Sequence, residues 1–288
     1  MATMDPSLRR PALVVMVLLL CQAGGAAAQA ALPVGDLFRP LLADPKQPRF
    51  SASYLWARSP SRDTQVGATA FGANIGIVRW AGTGEGSGLQ LGLAGGVFAQ
   101  FDMLAPSMDL MNADYVIGLP LSFGAYGLTG RVRLYHQSSH LGDEFLLRTQ
   151  PQRINLSFEA LEVLVSGTVG SWRVYGGGEY LLRHDPDHLR PGLVHGGLEY
   201  HQKRPVARIG HKATARVVMG VDVRLWQQHD WSPGLSGKAG LEFCPGDSQR
   251  LGERSWSILV EGYSGPSPYG QFYSEDITSF GFGLYFWL

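Results

Sequence analysis

The run ATARVVMGVDVRLW, residues 213–226, alternates apolar and polar side chains for longer than a strand in a soluble sheet needs. Ala213, Ala215, Val217, Met219, Val221, Val223 and Leu225 fall on one face, and Thr214, Arg216, Asp222 and Arg224 on the other. GLQLGLAGGVFAQF repeats the pattern, with Leu89, Leu91, Leu93, Val97 and Phe101 opposite Gln90, Ala94 and Gln100. Soluble strands commonly run about 5 or 6 residues, whereas a tilted strand crossing a bilayer needs roughly 9 to 11. A chain built of such runs is expected to close on itself, with oily flanks turned to lipid and charged residues turned inward.

About twelve candidate strands fit between residues 49 and 288. The expected fold is all-β: a transmembrane, antiparallel, up-and-down β-barrel, whose even strand number suits closure. With the N-terminus in the periplasm, GTGEGS, GAYG and GTVGS become inner turns. DMLAPSMDLM, HLGDEFLLRTQPQR and SGPSPYGQFYSEDI become outward loops. In the last strand Phe280, Phe282, Leu284, Phe286 and Leu288 share one face, which resembles the terminal strand of bacterial outer-membrane proteins.

Residues 1–30 carry Arg9 and Arg10, an apolar run and then AAAQAA, the layout of a cleaved secretory signal. Residues 31–48 are proline-rich and read as a periplasmic lead-in or a plug, leaving 49–288 for the barrel. After cleavage Cys244 is the one cysteine, so no intrachain disulfide and no cysteine metal cluster can form. Lys and Arg total 24 and so do Asp and Glu, which leaves no basic footprint for nucleic acid. The expected partners are outer-membrane lipids and, during biogenesis, the barrel-assembly machinery; the expected location is the cell outer membrane.

Two stretches depart from plain alternation. In INLSFEALEVLVSG the apolar face passes from Ile154, Leu156 and Phe158 to Leu161, Val163 and Val165. A one-residue bulge near Ala160 is expected to keep Glu159 and Glu162 both facing the lumen. In RLYHQSSHLGDEFLLR, Arg131, Arg133, Tyr135 and Gln137 face the lumen, which puts His136 and Ser138 on the lipid side near the outer end. A histidine two positions from a serine on one strand face suits a general base beside a nucleophile.

The triplet His136, Gln137, Ser138 resembles the strand motif of two families of outer-membrane lipid hydrolases, the outer-membrane phospholipase A and the lipid A deacylase. Their motif continues with Asn, where this chain has Ser139. The resemblance implies acyl ester hydrolysis in the outer leaflet, with His136 as base and Ser138 as nucleophile. A polar neighbour would orient the imidazole, and Glu144, Asn155 and Asp143 are the candidates. Over a longer span, DLFRPLLADPKQPRFSASY with LYHQSSHLGDEFLLR resembles a family of exported bacterial proteins, the domain of unknown function 1207, which implies an envelope protein and no particular activity.

Two other readings stand beside hydrolysis. SSHLGDE also reads as a strand exit whose serine and aspartate side chains bond turn amides, in a barrel with a structural, binding or narrow-transport role. His136, His140, Asp143 and Glu144 form a mixed ligand set, and His184, His188, His195 and His201 with Asp185 and Asp187 form a second. Neither spacing matches a strong metal template, so no metal and no cofactor is assigned. Arg131, Arg133, Arg216, Arg224, Glu159, Glu162 and Asp222 read as a lumen network that fills the barrel.

Overall fold

The computed structural model describes residues 29–84, 86–151, 153–210, 213–246 and 254–287. Residues 1–28, most of the segment that the sequence reads as a secretory signal, and Leu288 lie outside the described residues. The strands are β1 (Gln29–Ala31), β2 (Phe50–Arg58), β3 (Asp63–Ala81), β4 (Gly88–Asp102), β5 (Leu110–Ala125), β6 (Leu128–Leu141) and β7 (Ser157–Val169). They continue as β8 (Trp172–Asp185), β9 (Gly192–His201), β10 (Ala207–Ile209), β11 (Ala213–Trp226), β12 (Pro233–Pro245), β13 (Ser255–Pro266) and β14 (Asp276–Trp287). A seven-residue helix, α1 (Asp143–Thr149), sits inside the outward loop after β6.

Strands β2 to β9 and β11 to β14 each pair antiparallel with the next, and β14 returns to pair with β2. The result is a closed, antiparallel, twelve-stranded β-barrel. β1 adds to the part of β3 that extends below β2, and β10 folds back on β11. Closure leaves no long unpaired edge, as a lipid-facing wall requires, because an unbonded amide in hydrocarbon costs several kcal/mol.

The alternation of the sequence is reproduced in the wall. Met219 and Val221 project outward from β11, while Arg216 and Asp222 are buried inside. Phe280, Phe282, Leu284 and Phe286 are exposed together on β14. No helix among the described residues is long and apolar enough to cross a membrane.

The lead-in does not stay outside the barrel. Leu37, Phe38, Leu41, Leu42, Ala43, Asp44 and Gln47 are all buried. Their backbone is held by lumen side chains: Glu199 accepts from the Leu42 amide at 2.6 Å, Ser236 donates to Ala43 O at 2.7 Å, and Arg173 donates to Arg39 O at 2.9 Å. Arg224 pairs with Asp44 at 3.0 Å, and Lys46 with Asp114 at 2.5 Å. The segment is too short to form a core alone, and its backbone donors and acceptors are satisfied by the wall.

From the opposite end, the loop between β13 and β14 dips inward. Gln271 donates to Ser139 O and Ile154 O, and Gly270 N donates to Asp114 Oδ2 at 3.1 Å. A Cβ on Gly270 would lie 1.8 Å from Ser139 Oγ, so only glycine allows this approach. Asp114 therefore joins the lead-in below to the outward loop above.

The bulge expected in β7 lies instead in β8. β7 pairs with β6 without interruption, whereas Glu159 faces Arg183 and Ala160 faces Leu181, which leaves Leu182 as the extra residue. Phe158 and Leu156 point inward, into an apolar cluster with Val116, Tyr135, Leu181, Leu189 and Tyr273 that fills the outer end of the lumen. With Phe158 inside, strict alternation puts Glu159 outside and Glu162 inside. The expectation that Glu159 faces the lumen is thereby corrected.

Candidate functional site

On β6, Arg131, Arg133, Tyr135, Gln137 and Ser139 are buried on the lumen side. Val132, Leu134, His136, Ser138 and His140 alternate with them on the outer wall. β6 leads from the inner turn at Ala125–Leu128 to α1, so His136 and Ser138 lie toward its outer end.

Across the β6–β7 ladder His136 stands opposite Glu159, and Ser138 opposite Ser157. His136 Nδ1 and Glu159 Oε1 are 3.0 Å apart, with side chains 40% and 41% exposed. One strand further, Arg183 stands opposite Glu159 and Asp185 opposite Ser157. The outer wall therefore turns polar over three adjacent strands at one height. Below it on the same strands the wall is Leu134, Leu161, Val163 and Val165.

A carboxylate on Nδ1 fixes the imidazole's orientation and leaves Nε2 as the nitrogen able to take a proton. Among the described residues no hydrogen bond joins Ser138 Oγ to His136. Resting serine–histidine contacts are often long and tighten when substrate is bound.

Glu144 and Asp143 are exposed in the first turn of α1, where Phe145 is the buried residue. Asn155 Nδ2 donates to Asp185 Oδ2 at 2.5 Å. The partner that meets His136 is thus Glu159. The sequence signal for it was present: Glu159 lies an even number of positions from Leu161, Val163 and Val165, which face outward.

His140 packs edge-on against Tyr115, with ring centroids 5.6 Å apart, and does not join His136 and Glu144 in a ligand group. The second histidine set is also dispersed. His184 Nδ1 lies 3.0 Å from Pro186 O, His188 Nε2 lies 3.2 Å from Tyr273 OH, and His201 Nε2 lies 3.2 Å from Glu199 Oε2. His195 is buried in the lumen beside Asp222, at 2.5 Å.

The lumen side of the wall is lined by ion pairs between adjacent strands. Glu162 receives Arg131 and Arg133, each at 2.7 Å. Arg173 meets Glu199 at 3.2 Å, and Lys238 meets Glu261 at 3.1 Å. Glu159 stands outside this network, while Arg216, Arg224, Glu162 and Asp222 are on the lumen side of their strands.

Fold and wall together define a class: a closed, outer-membrane-type β-barrel with a plugged lumen and a polar patch on its exterior. Comparison with known proteins gives the family. The chain belongs to the family described as protein of unknown function (DUF1207), whose model matches residues 11–288. No curated protein sequence matches it. Among solved structures it is similar to outer membrane phospholipase A from Escherichia coli, at 15% identity over 83% of this chain and 90% of that one, with a TM-score of 0.50. It is also similar to the Salmonella typhi outer membrane phospholipase dimer with bound calcium, at 14% identity, 86% and 93% coverage and a TM-score of 0.48. The beta domain of a Bordetella autotransporter matches at 14% identity, 83% and 96% coverage and a TM-score of 0.42. At these identities the likeness concerns the fold.

Proposed function

We propose that the chain is an outer-membrane serine hydrolase that cleaves acyl esters of lipid at the exterior of its barrel. The observation that carries the proposal is the His136–Glu159 pair at 3.0 Å, on the same outer face as Ser138. A carboxylate and an imidazole on a lipid-facing wall lose hydration, and such groups at membrane depth mark function more often than structure.

In this reading Ser138 Oγ attacks the ester carbonyl carbon while His136 Nε2 takes the hydroxyl proton. The tetrahedral intermediate collapses with cleavage of the C–O bond, and His136 returns the proton to the leaving alcohol. Water, deprotonated by the same nitrogen, then releases the fatty acid and restores the serine. Glu159 holds the ring and stabilises the imidazolium that forms in both halves. Arg183, in register with Glu159, supplies a cation where a lipid headgroup phosphate would lie. In this reading Glu159 takes the orienting role that the sequence offered to Glu144, Asp143 or Asn155, and Asn155 instead donates to Asp185.

The buried lead-in argues against an open pore. Insertion in the outer membrane, by the barrel-assembly machinery, is part of the same proposal. The test is release of fatty acid from phospholipid and from lipopolysaccharide by purified protein, beside Ser138→Ala. No release from either substrate by the wild type overturns the proposal.

A second reading is favoured by the missing Ser138–His136 hydrogen bond. In it the barrel is non-catalytic, and His136, Glu159 and Arg183 are a polar collar at headgroup depth. The two readings separate on the same assay.

A further inference from the structure

His195 is the most enclosed imidazole of the lumen, with its side chain 0% exposed. Its Nε2 faces Asp222 Oδ2, which also accepts the hydroxyl of Tyr175. Its Nδ1 has no hydrogen-bond partner despite burial. On the adjacent strand β8, two positions beyond the residue paired with His195, Glu179 Oε2 accepts the Tyr135 hydroxyl, while Glu179 Oε1 has no hydrogen-bond partner and has Arg224 Nη2 at 3.7 Å. A buried lone pair without a donor costs of order 1–3 kcal/mol, and two facing a common space point to something between them.

The third group there is Glu162. One ligand atom each from Glu162, Glu179 and His195 lie within 4.8 Å of one another. Glu162 Oε1 accepts one hydrogen bond, from Arg131 Nε at 2.7 Å, so it retains a second lone pair. The ion pairs that converge on the space join four acids, Asp44, Glu162, Glu179 and Asp222, to three guanidiniums, Arg131, Arg133 and Arg224. With His195 neutral the cluster lacks one positive charge, and an uncompensated buried charge is costly; a proton on His195, which faces Asp222 at 2.5 Å, is the rival way to supply it.

We propose that Glu162, Glu179 and His195 form a binding site for a divalent transition metal of the zinc class, buried in the barrel lumen. One imidazole and two carboxylates are a donor set such a cation takes, with coordination positions left for solvent. Asp222 on the far nitrogen of His195, itself held by Tyr175, is the outer-shell carboxylate that fixes a ligating histidine. A divalent ion carrying one hydroxide closes the charge balance. The entry path is the cavity above, which runs from Ser232 and Ser267 in the outward loops down to Glu179. The site is independent of the hydrolase reading, since its groups point inward and those of the outer wall point away.

The test uses the purified full barrel, stripped with chelator, and cobalt(II) as a spectroscopic probe with zinc as competitor. The expected result is one equivalent of cobalt with a visible ligand-field spectrum, displaced by zinc. His195→Gln and Glu179→Gln should each weaken binding at least ~10-fold, and Asp222→Asn ~10- to 100-fold. His140→Gln, an exposed imidazole, should change nothing. Heat-modifiable gel mobility selects folded variants, and Glu179→Gln, which keeps the residue's shape, serves if His195→Gln fails to fold. Absence of stoichiometric metal in the wild type overturns the proposal, leaving a proton on His195 or a water as the occupant. Uptake by folded His195→Gln or Glu179→Gln equal to the wild type overturns it as well.

Discussion

The two faces of the β6–β7 ladder carry the same chemistry in opposite surroundings. Inside, Glu162 lies between Arg131 and Arg133, buried on all sides. Outside and three residues earlier on β7, Glu159 meets His136 with about two fifths of each side chain exposed. The inner pair is fixed by its desolvation, because removing either partner strands a charge. The outer pair contributes little to stability, as exposed ion pairs do, and it meets whatever lies against the wall. Similar residues thus form a buried ion-pair network on one side and a half-exposed pair on the outer wall on the other.

This contrast can be broken from either side. The largest effect is expected outside: Ser138→Ala should lower acyl release from lipid by roughly 10⁴-fold or more while urea unfolding in vesicles is unchanged. A variant with equal activity would return the outer pair to a structural role. Inside, Glu162→Gln should destabilise the folded barrel by about 3–5 kcal/mol, read as a shift in the same unfolding curve. Next comes Glu159→Gln, expected to reduce kcat by roughly 10²-fold or more, with a stability change below about 1 kcal/mol. If unfolding shifts as far as in Glu162→Gln, the distinction between the faces fails.

The smallest effect concerns pH and the lead-in. Burial pushes the Asp36 carboxyl up to about 6, against the lowering effect of its hydrogen bonds from Asn74 and Gln90 and of Arg131 and Arg79. A carboxyl raised in the folded state favours docking below its ordinary value near 3.8 and loses that contribution as pH rises through about 6. Hydrogen exchange across residues 32–48 should therefore quicken modestly between pH 4 and pH 7 in the wild type, beyond the intrinsic rate, and Asp36→Asn should flatten the trend.

Much of the wall was legible because period-two alternation survives wherever one face is lipid and the other water. Met219, Val221, Phe280 and Phe282 outside, and Arg131, Arg133 and Asp222 inside, follow from that rule alone. It misleads at the outer end of the lumen, where the interior is itself apolar. Phe158 and Leu156 are oily and face inward, so reading them as outward demanded a bulge in β7 and reversed Glu159. The helix α1 was also missed. Seven residues are too few for an amphipathic period to declare itself, and its docking rests on Phe145 against Phe272 and on Arg148 reaching Asp102 and Asp109. The convergence of Glu162, Glu179 and His195 comes from three strands, and no local spacing encodes it.

The lead-in carries a consequence for biogenesis. Arg49 is buried and Phe50 begins the wall, so the chain passes from interior to seam within one residue. That seam is where the first and last wall strands, β2 and β14, zip together over nine paired positions. The leader brings Lys46, without which Asp114 would be sealed in with no cation, and Asp44, the nearest of three acids around Arg224. A ring closed without the leader would hold the Asp114 carboxylate in its lumen without Lys46, at an electrostatic cost.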